Sequence, residues 1–555
     1  MSTLLRLLFL LVLLPSLAWA APMPPLAAAI ASAHPQATAA GHEVLALGGN
    51  AFDAAVAVAA ALAVVEPYNS GLGGGGFFLL HRARDGFQTM IDARERAPLA
   101  ATRDMYLRNG RAVPALSLDG ALAAGIPGMP AGMVHLAGKY GKLPLGKSLA
   151  PAIRLAKEGF HVTPYYSKML LRQHMRLHDN FPEAARTFHQ DGLIPAPGDV
   201  LKQPDLSRTL RRLAEKGHAG FYEGETARRL VQGVREAGGI WTLKDLAEYR
   251  VVEREPVRGQ YRGVRLTSAA LPSSGGVVLN QVLNLLAGFD LEAMARAQRD
   301  HTVIEAMRLA YRDRARHLGD SDFIRVDVPR LLDPAYAAKL REEMRAPGLI
   351  PDLAPAKTMG GGTHTTHFSI IDREGNRVAA TLTLNTPFGS GLMPPGTGVV
   401  LNNEMDDFSV KPDSPNTYGL VGGEANAIAP GKRPLSSMTP TFLENDEAVV
   451  ILGTPGGSRI ISMVLLATLE FAHGRGGPQE WVSLPRFHHQ FLPDIVTFES
   501  GAFSEEEKRV LLQYGHRLES VRRHYGNMQV VAWFKKNSRV EAASDPRGEG
   551  SAVVK

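Results

Sequence analysis

The stretch that decides the fold is Gly360-Gly361-Gly362-Thr363-His364-Thr365-Thr366-His367-Phe368-Ser369-Ile370-Ile371-Asp372. Its three glycines permit almost any backbone conformation, whereas residues 366–371 alternate at the two-residue period of a β-strand. Arg373-Glu374-Gly375-Asn376 then turns the chain, and residues 377–385 supply a second β-branched run. This pattern predicts an antiparallel hairpin. Thr365 is therefore expected to lie where a flexible loop becomes a rigid strand.

A threonine at such a junction can act as a catalytic nucleophile. If the chain is cut before Thr365, the new α-amine lies on the same residue as the hydroxyl and can accept its proton. An α-amine has a reference pKa of about 7.7 to 8.0, so an appreciable part of it is a free base near neutral pH. In the uncut chain the same hydroxyl could attack the carbonyl of His364. The alternative is that Thr365 is a threonine at a strand start with no chemical role, since threonine favours strands.

Composition places the chain among large globular proteins. It has 555 residues, of which 45% are hydrophobic and 21% charged, so it can form more than one domain or one large unit. It contains no cysteine, which excludes disulfides, thiolate metal sites, a cysteine nucleophile and a lipid-modified cysteine. The net charge of +6 is small for this length, and no basic run with interleaved aromatic residues is present. Nucleic acid is not an expected partner.

Residues 1–20 have the pattern of a signal peptide. Arg6 precedes an apolar run over residues 7–14, Pro15 breaks it, and Ala18-Trp19-Ala20 fits a signal peptidase site. The apolar run is too short to span a bilayer as a helix. We expect cleavage near Ala20 and export without a membrane anchor, to a bacterial periplasm or to the medium.

The rest of the chain is mixed helix and strand. Residues 52–65 are apolar on all sides, which predicts a buried helix. Residues 71–76 carry the letters of a dinucleotide fingerprint, but a strand over residues 77–81 follows where that motif needs a helix, so we expect close backbone packing beside a pocket. Residues 154–179 show helical periodicity. The proline, glycine and alanine content of residues 345–362 predicts a mobile connector, which is a suitable place for a cut.

Several long motifs resemble the γ-glutamyltranspeptidase family, whose members are also called glutathione hydrolases. Those of the family's small subunit are Thr365-Thr366-His367-Phe368-Ser369, Thr383-Leu384-Asn385-Thr386, Leu401-Asn402-Asn403-Glu404-Met405-Asp406-Asp407-Phe408, Pro434-Leu435-Ser436-Ser437-Met438 and Pro455-Gly456-Gly457-Ser458-Arg459. Those of the large subunit are Gly48-Gly49-Asn50-Ala51, Ser70-Gly71-Leu72-Gly73-Gly74-Gly75, Asp92-Ala93-Arg94-Glu95 and Pro272-Ser273-Ser274-Gly275-Gly276. The resemblance runs from about Ala31 to Arg547.

The resemblance implies an α/β (α+β) fold of the N-terminal nucleophile hydrolase superfamily. Its four αββα layers are two stacked antiparallel sheets between helical layers. It also implies self-cleavage between His364 and Thr365. After a signal peptide over residues 1–20, residues 21–364 would form the large subunit and residues 365–555 the small catalytic subunit, together one αββα heterodimer. His364 departs from the residue found in better-known members, which affects the expected rate of self-cleavage more than its position.

The resemblance also implies a role for each site residue. Thr365 is the nucleophile, oriented by Thr383, and Gly456 and Gly457 form the oxyanion hole. The substrate α-carboxylate is bound by Arg94, Ser436 and Ser437, and its α-ammonium by Asn385, Glu404 and Asp407. Tyr418 gates a lid loop over residues 411–423. Guanidinium suits a carboxylate because it forms a bidentate pair that lysine does not.

The motifs alone allow structural alternatives. Arg94 could be a surface arginine beside Glu95, and Asp406-Asp407 a solvated turn or a calcium ligand pair, although calcium needs more clustered oxygens. The Gly456-Gly457 and Ser436-Ser437 pairs could be turns, and Thr383 a simple strand residue. His364 and His367 would point to opposite faces of a strand, so no shared metal is expected, and no cofactor is implied.

The implied activity is cleavage of the γ-glutamyl amide of glutathione and related compounds. A γ-glutamyl-threonine acyl-enzyme would then pass its acyl group to water, or to an acceptor amino acid or dipeptide. The alternatives are a glutaryl (cephalosporin) acylase, a poly-γ-glutamate hydrolase, and an uncut γ-glutamyl-binding protein without activity. An ammonium pocket favours glutamyl over glutaryl substrates, because the glutaryl group lacks the ammonium.

Overall fold

The structure, a computed structural model, describes residues 24–344, 364–411 and 414–555. The predicted signal peptide and the predicted connector with Gly360, Gly361 and Gly362 lie outside the described residues, as do residues 412–413 of the predicted lid loop. In the part of the chain that is described, no helix is long and apolar enough to cross a membrane.

The first sheet has seven strands that are antiparallel to their neighbours. In spatial order they are Ser551–Val554, Ala29–Ser32, Thr366–Ile371, Arg377–Thr383, Gly75–Arg82, Phe87–Ala93 and Val252–Arg254. The predicted hairpin is confirmed: Thr366 pairs with Leu382 and Ile371 with Arg377. Strands from before and after Thr365 are therefore hydrogen-bonded to each other within one sheet.

The second sheet has six antiparallel strands. In spatial order they are Arg539–Ser544, Gln529–Phe534, Ala448–Gly453, Thr441–Glu444, Val264–Ser268 and Val257–Tyr261. Smaller sheets pair Leu107–Arg108 with Arg111–Ala112, Phe160–His161 with Val200–Leu201, and Phe487–His488 with Val496–Phe498 and Leu518–Ser520. Like the first sheet, the second joins strands from both sides of Thr365.

Helices cover the outer face of each sheet. The layer on the first sheet contains Pro35–Ala46, Ala51–Val65, Met129–Lys139, Leu145–Glu158, Pro164–Asn180 and Pro204–Lys216. The layer on the second sheet contains Gly275–Leu286, Arg296–His317, Pro334–Arg341 and Ile460–Ala472. Shorter or peripheral helices are Ala115–Leu118, Pro182–Phe188, Ala219–Tyr222, Gly224–Glu236, Leu243–Ala247, Val328–Leu331, Pro478–Ser483 and Glu505–Gln513. The predicted four-layer αββα architecture is confirmed.

Local sequence explains where the helices lie and end. Every residue of Ala51–Val65 is buried, as its almost entirely apolar composition predicts, and Asn50 caps it by accepting from the backbone N–H of Asp53. The helix predicted over residues 154–179 is instead two helices. The first, Leu145–Glu158, is followed by Gly159, whose φ of +99° favours glycine, and the second begins at Pro164, which suits a first helical position.

The strand after Thr365 presents two different faces. Phe368 and Ile370 pack in the core that the first sheet shares with its helices, whereas Ile371 packs in the core between the sheets. His367 also faces the second sheet, where a Cβ on Gly453 would lie 2.3 Å from its Cε1 atom. Thr365 is in phase with His367, so its side chain points to the inner side of the first sheet.

The glycine-rich run before strand Gly75–Arg82 packs directly on neighbouring backbone, as predicted. A Cβ on Gly73 would lie 1.9 Å from the carbonyl oxygen of Val400, and one on Gly74 would lie 2.0 Å from that of Thr383. Only glycine allows this approach. The run thereby joins the beginning of the chain to the segments that follow Thr365.

An ion cluster connects the two sheets. Arg377 of the first sheet donates to Glu444 of the second at 2.8 Å, and Lys535 donates to the same carboxylate at 2.8 Å. Burial alone would raise the pKa of Glu444, but Arg377 and Lys535 lower it from about 4.5 to about 2. A depressed pKa means that the folded state favours the charged carboxylate. This stabilisation is complete above about pH 4.5 and is lost as the pH falls towards 2.

We expect Glu444→Gln to destabilise the protein at pH 7 by on the order of 2 kcal/mol, because Arg377 would keep its burial and lose its counter-charge. Thermal melting followed by circular dichroism would measure this, with the difference from wild type shrinking between pH 4.5 and pH 3. Glu505→Gln is the control, since Glu505 pairs with Lys508 at 2.6 Å but is 86% exposed. Equal effects of both substitutions would contradict a role for the ion cluster.

Candidate active site

One pocket collects residues from distant parts of the chain. Its lining comprises Arg94, Thr365, Thr383, Asn385, Glu404, Asp407, Tyr418, Leu420, Ser436, Ser437, Met438, Gly457, Ser458 and Ile460. The space inside it, including its open mouth, is about 290 Å³. Every site residue predicted from the sequence lines this pocket except Gly456, which is adjacent to Gly457.

Thr365 is held at the start of its strand. It is 4% exposed, and its Oγ1 donates to Oγ1 of Thr383 at 3.3 Å. Thr383 Oγ1 also accepts from the backbone N–H of Asn385 at 2.7 Å, which fixes the orientation of this second hydroxyl. Oγ1 of Thr365 also contacts the carbonyl oxygen of His364, so the hydroxyl lies beside the peptide bond at which cleavage is expected.

Two adjacent glycines present free backbone donors. Gly456 has φ of +147° and Gly457 has φ of +58°, conformations that favour glycine. They lie between strand Ala448–Gly453 and helix Ile460–Ala472. Among the described residues, neither N–H donates a hydrogen bond. Such a pair of N–H groups can stabilise a negative oxygen.

Arg94 is fully buried and is paired with two of the predicted ammonium ligands. Its Nη1 contacts Oε1 of Glu404, its Nη2 donates to Oδ2 of Asp407 at 2.6 Å, and its Nε donates to the carbonyl of Pro434 at 3.2 Å. Burial by itself would lower the pKa of Arg94, but the carboxylates raise it above its ordinary value. The alternative of a surface arginine is wrong for this residue.

The acidic side of the pocket carries more carboxylates than one guanidinium can neutralise. Besides Glu404 and Asp407, Glu95 lies 3.6 Å from Nη1 of Arg94. Burial raises the pKa of Glu95 to about 7 and raises the pKa of Glu404 above its ordinary value. Oε2 of Glu404 is buried and has no hydrogen-bond partner among the described residues. The cluster therefore offers an unused acceptor to a cation.

Asn385 is held in a conformation that few non-glycine residues adopt. Its φ is +75°, and its Nδ2 donates to the carbonyl of Asn403 at 2.9 Å. The side chain of Asn403 in turn accepts from the N–H of Thr386 at 3.1 Å. A strained residue held by its surroundings is typical of a functional site.

Ser436 and Ser437 each accept a hydrogen bond from a fixed donor. Oγ of Ser436 accepts from the N–H of Met438 at 3.1 Å, and Oγ of Ser437 accepts from Nη2 of Arg314 at 3.2 Å. Neither hydroxyl donates to any residue that the structure describes. Both protons are therefore available to a group in the pocket, and this side of the pocket donates rather than accepts.

The predicted lid residue Tyr418 closes over the glycine pair. Its hydroxyl donates to the carbonyl of Asn385 at 2.5 Å, and a Cβ on Gly457 would lie 2.5 Å from its ring. The lid is also tied to the acidic pair, because Asn416 donates to Asp407 at 3.0 Å and the N–H of Thr417 donates to Asp406 at 2.9 Å. Asp406 is buried, so a solvated turn is wrong for this residue.

Sequence reasoning missed the residues that support the pocket from behind. Oδ1 of Asp92 accepts from the N–H of Arg94 at 3.0 Å. Nδ2 of Asn402 donates to the carbonyls of Gly73 and Gly125, both at 2.7 Å, while its Oδ1 accepts from the N–H of Glu404 at 3.0 Å. Both residues stand inside motifs quoted for the resemblance, which was the signal available. No group of three or more His, Asp or Glu residues within the described ranges could hold a metal ion.

Comparisons with known proteins agree with this site. A family model described as gamma-glutamyltranspeptidase matches residues 37–555. A glutathione hydrolase proenzyme from Pseudomonas sp. (strain A14) is 44% identical over 483 residues, which cover 86% of this chain and 84% of that protein. A crystal structure of cephalosporin acylase from Bacillus halodurans has a TM-score of 0.83 at 28% identity and covers 99% of both chains. A Helicobacter pylori gamma-glutamyltranspeptidase structure has a TM-score of 0.55 at 41% identity and covers 58% of this chain and 92% of that one.

The predicted motifs, the four-layer fold and the composition of the pocket agree with the match over almost the whole chain. The resemblance inferred from the sequence is confirmed, and the chain belongs to the gamma-glutamyltranspeptidase family.

Proposed function

We propose that the protein is a γ-glutamyltransferase and glutathione hydrolase that acts through Thr365. The observation that carries the proposal is the polarity of the pocket around this hydroxyl. One side offers the donors Arg94, Ser436 and Ser437, and the other offers acceptors on Glu404 and Asp407. A γ-glutamyl group has a free α-carboxylate and a free α-ammonium, which match these two sides.

Substrate binding would change which charged groups are paired with Arg94, Glu404 and Asp407. Without substrate, the carboxylates of Glu404 and Asp407 satisfy Arg94. The substrate α-carboxylate would share Arg94 and take the two serine hydroxyl protons, while its α-ammonium would share the acids and Asn385. Because each incoming charge meets an opposite one, no buried charge is left unpaired.

The proposed reaction begins with attack by Oγ1 of Thr365 on the γ-glutamyl carbonyl carbon. The Thr365 α-amine takes the hydroxyl proton, and Thr383 orients the hydroxyl. Negative charge on the carbonyl oxygen is held by the N–H groups of Gly456 and Gly457; in other enzymes one such donor contributes about 2.7 to 4 kcal/mol. The C–N bond then breaks, the leaving amine takes the proton from the α-ammonium, and a γ-glutamyl ester of Thr365 is left.

The ester is resolved by a second nucleophile. Water, deprotonated by the same α-amine, gives glutamate, and the amine of an amino acid or dipeptide gives a new γ-glutamyl amide. The two outcomes differ only in the nucleophile that arrives. In either case Oγ1 of Thr365 takes back its proton and the enzyme is regenerated.

Maturation is proposed to use the same hydroxyl. Oγ1 of Thr365 would attack the carbonyl carbon of His364, the acyl group would move from nitrogen to oxygen, and water would then release residues 365–555 from the preceding segment. Two observations support this: the hydroxyl contacts the His364 carbonyl, and relatives carry the name proenzyme. Both sheets combine strands from the two sides of the cut, so the two products should stay together as a heterodimer. Residues 1–20 are proposed as a signal peptide for export.

The second candidate is a glutaryl acylase, which the structural similarity to a cephalosporin acylase favours. A glutaryl group has no ammonium and would leave the buried Oε2 atom of Glu404, which has no hydrogen-bond partner among the described residues, still unpaired. The acidic cluster beside Arg94 therefore supports the γ-glutamyl assignment over the acylase assignment.

We expect the purified protein to run as two bands on a denaturing gel, the smaller beginning Thr-Thr-His-Phe-Ser. Thr365→Ala should give one uncut band without activity, because the nucleophile of both reactions is removed. Thr365→Ser is the matched control, and it should still be cut because it keeps the hydroxyl. A folded wild-type protein that stays uncut would leave Thr365 without its base and would favour the binding-protein alternative.

We expect Asp407→Asn to lower kcat/KM for γ-glutamyl-p-nitroanilide by on the order of 100-fold, because it removes a charge that faces the α-ammonium. The small activity towards glutaryl-p-nitroanilide should change much less, since that donor has no ammonium. Steady-state rates with the two anilides would measure the change in preference.

Asp406→Asn is the control for this experiment. Asp406 accepts from Ser117 Oγ at 2.7 Å and from the N–H of Thr417, and it does not line the pocket. Its replacement should affect the two donors to the same degree. A wild-type protein that hydrolyses the glutaryl donor as well as the γ-glutamyl donor would contradict the proposal in favour of the acylase.

A further inference from the structure

A second buried arginine lies behind the pocket and is paired differently from Arg94. Arg314, in helix Arg296–His317, is 5% exposed. Its Nε donates to Oγ of Ser274 at 2.9 Å and its Nη2 to Oγ of Ser437 at 3.2 Å. Among the described residues it forms no ion pair with a carboxylate. Arg314 therefore carries a buried positive charge whose hydrogen bonds go to two serine hydroxyls.

Ser274 belongs to the motif Pro272-Ser273-Ser274-Gly275-Gly276, for which the sequence analysis found no chemical role. Oγ of Ser274 donates to the carbonyl of Ser436 at 2.7 Å, and its N–H donates to the same carbonyl at 2.8 Å. The N–H of Ser436 donates back to the carbonyl of Pro272 at 2.8 Å. The motif is thus hydrogen-bonded to the Ser436-Ser437 segment, and Arg314 donates hydrogen bonds to both the motif and the segment.

The contact between Arg314 and Ser437 decides the direction of the hydroxyl proton. A guanidinium can only donate, so Oγ of Ser437 must be the acceptor in this contact. Its own proton then has to point elsewhere, and the open direction is the pocket. A hydroxyl that accepts from a cation is also polarised into a stronger donor. Both effects prepare Ser437 to bind an anion.

The positive charge of Arg314, like the Ser437 hydroxyl, favours the binding of an anion in the pocket. The charged groups that interact with it electrostatically are Asp407 and Arg94, and the phenol of Tyr311 lies on its own helix. Asp407 is already shared with Arg94 and the lid residue Asn416. A carboxylate held by Ser437 would therefore lie on the side of Arg314 that faces the pocket, where a negative charge is favourable.

We propose that Arg314 is a positioning residue for the substrate α-carboxylate, acting through the hydroxyl of Ser437, and that the Pro272 to Gly276 motif holds both in register. The inference rests on the proposed function, because it takes the γ-glutamyl α-carboxylate as the anion. It adds a determinant of specificity that does not itself line the pocket. Arg314 selects donors that carry this carboxylate, whereas Thr365 and the glycine pair act on the amide.

The test compares two donors in wild type and Arg314→Met. One donor is γ-glutamyl-p-nitroanilide, and the other is 4-aminobutyryl-p-nitroanilide, which keeps the ammonium and lacks the α-carboxylate. We expect the variant to raise KM for the γ-glutamyl donor about 10- to 100-fold with little change in kcat. For the 4-aminobutyryl donor, kcat/KM should change by less than about 3-fold.

A double-mutant cycle shows whether Arg314 acts through Ser437. Ser437→Ala alone should reproduce the selective rise in KM, and Arg314→Met combined with Ser437→Ala should be no more than about 3-fold worse than either single variant. Cleavage before Thr365 and the melting temperature would be measured for each variant. If Arg314→Met does not fold, Ser274→Ala removes one anchor of the guanidinium and should raise KM for the γ-glutamyl donor selectively by several-fold.

The outcomes separate this inference from the proposed function. A wild-type protein that does not turn over the γ-glutamyl donor would overturn the proposed function itself. An active wild type in which Arg314→Met lowers kcat/KM equally for both donors would leave the proposed function standing and overturn the positioning role. Multiplicative effects in the double variant would also overturn it, because Arg314 and Ser437 would then act independently.

Discussion

The geometry of the site depends on one strand being hydrogen-bonded on both sides. Thr366–Ile371 lies between Ala29–Ser32 and Arg377–Thr383 inside the seven-stranded sheet. A central strand has little freedom to shift its register, because a one-residue slip would exchange the buried faces. Thr365 immediately precedes this strand, so the strand fixes its position. The neighbouring strand, Arg377–Thr383, ends at Thr383. The hydrogen bonds between these two strands therefore also position the Thr383 hydroxyl.

The two buried arginines show how the pocket can hold charge before a substrate arrives. Arg94 is satisfied by Glu404 and Asp407, and Arg314 by Ser274 and Ser437. In the first arrangement opposite charges are paired. A zwitterionic substrate could bind between them and interact with both. In the second arrangement Arg314 forms no direct ion pair among the described residues, and its hydrogen bonds orient a neutral donor. The pocket therefore combines an acidic cluster that attracts a cation with a positive region that attracts an anion.

The sequence alone was sufficient to predict features that depend on neighbouring residues in the chain. The hairpin after Thr365 follows from its alternating pattern, and the buried helix Ala51–Val65 follows from its composition. The break near Gly159 was missed even though its signals, Gly159 and Pro164, were present. By contrast, the contact of Arg314 with Ser437 joins residues 123 positions apart, and no local pattern marks a polar side chain that faces inwards. The pairing of Arg94 with the acids was also missed, because each residue had been matched to a substrate group rather than to its neighbours.

Cleavage would change what holds the nucleophile. In the uncut chain, His364 tethers Thr365 from one side; once this bond is gone, only contacts on the other side remain. Thr366 supplies the first of these, because its Oγ1 donates at 2.8 Å to the buried carboxyl of Glu66 at the end of helix Ala51–Val65. Burial raises the pKa of Glu66 to about 8, so this carboxyl is mostly protonated at pH 7 and its contact with Thr366 is then a hydrogen bond between two neutral groups. The first anchor of the strand beyond Thr365 is therefore buried, and it does not depend on the bond that cleavage would remove.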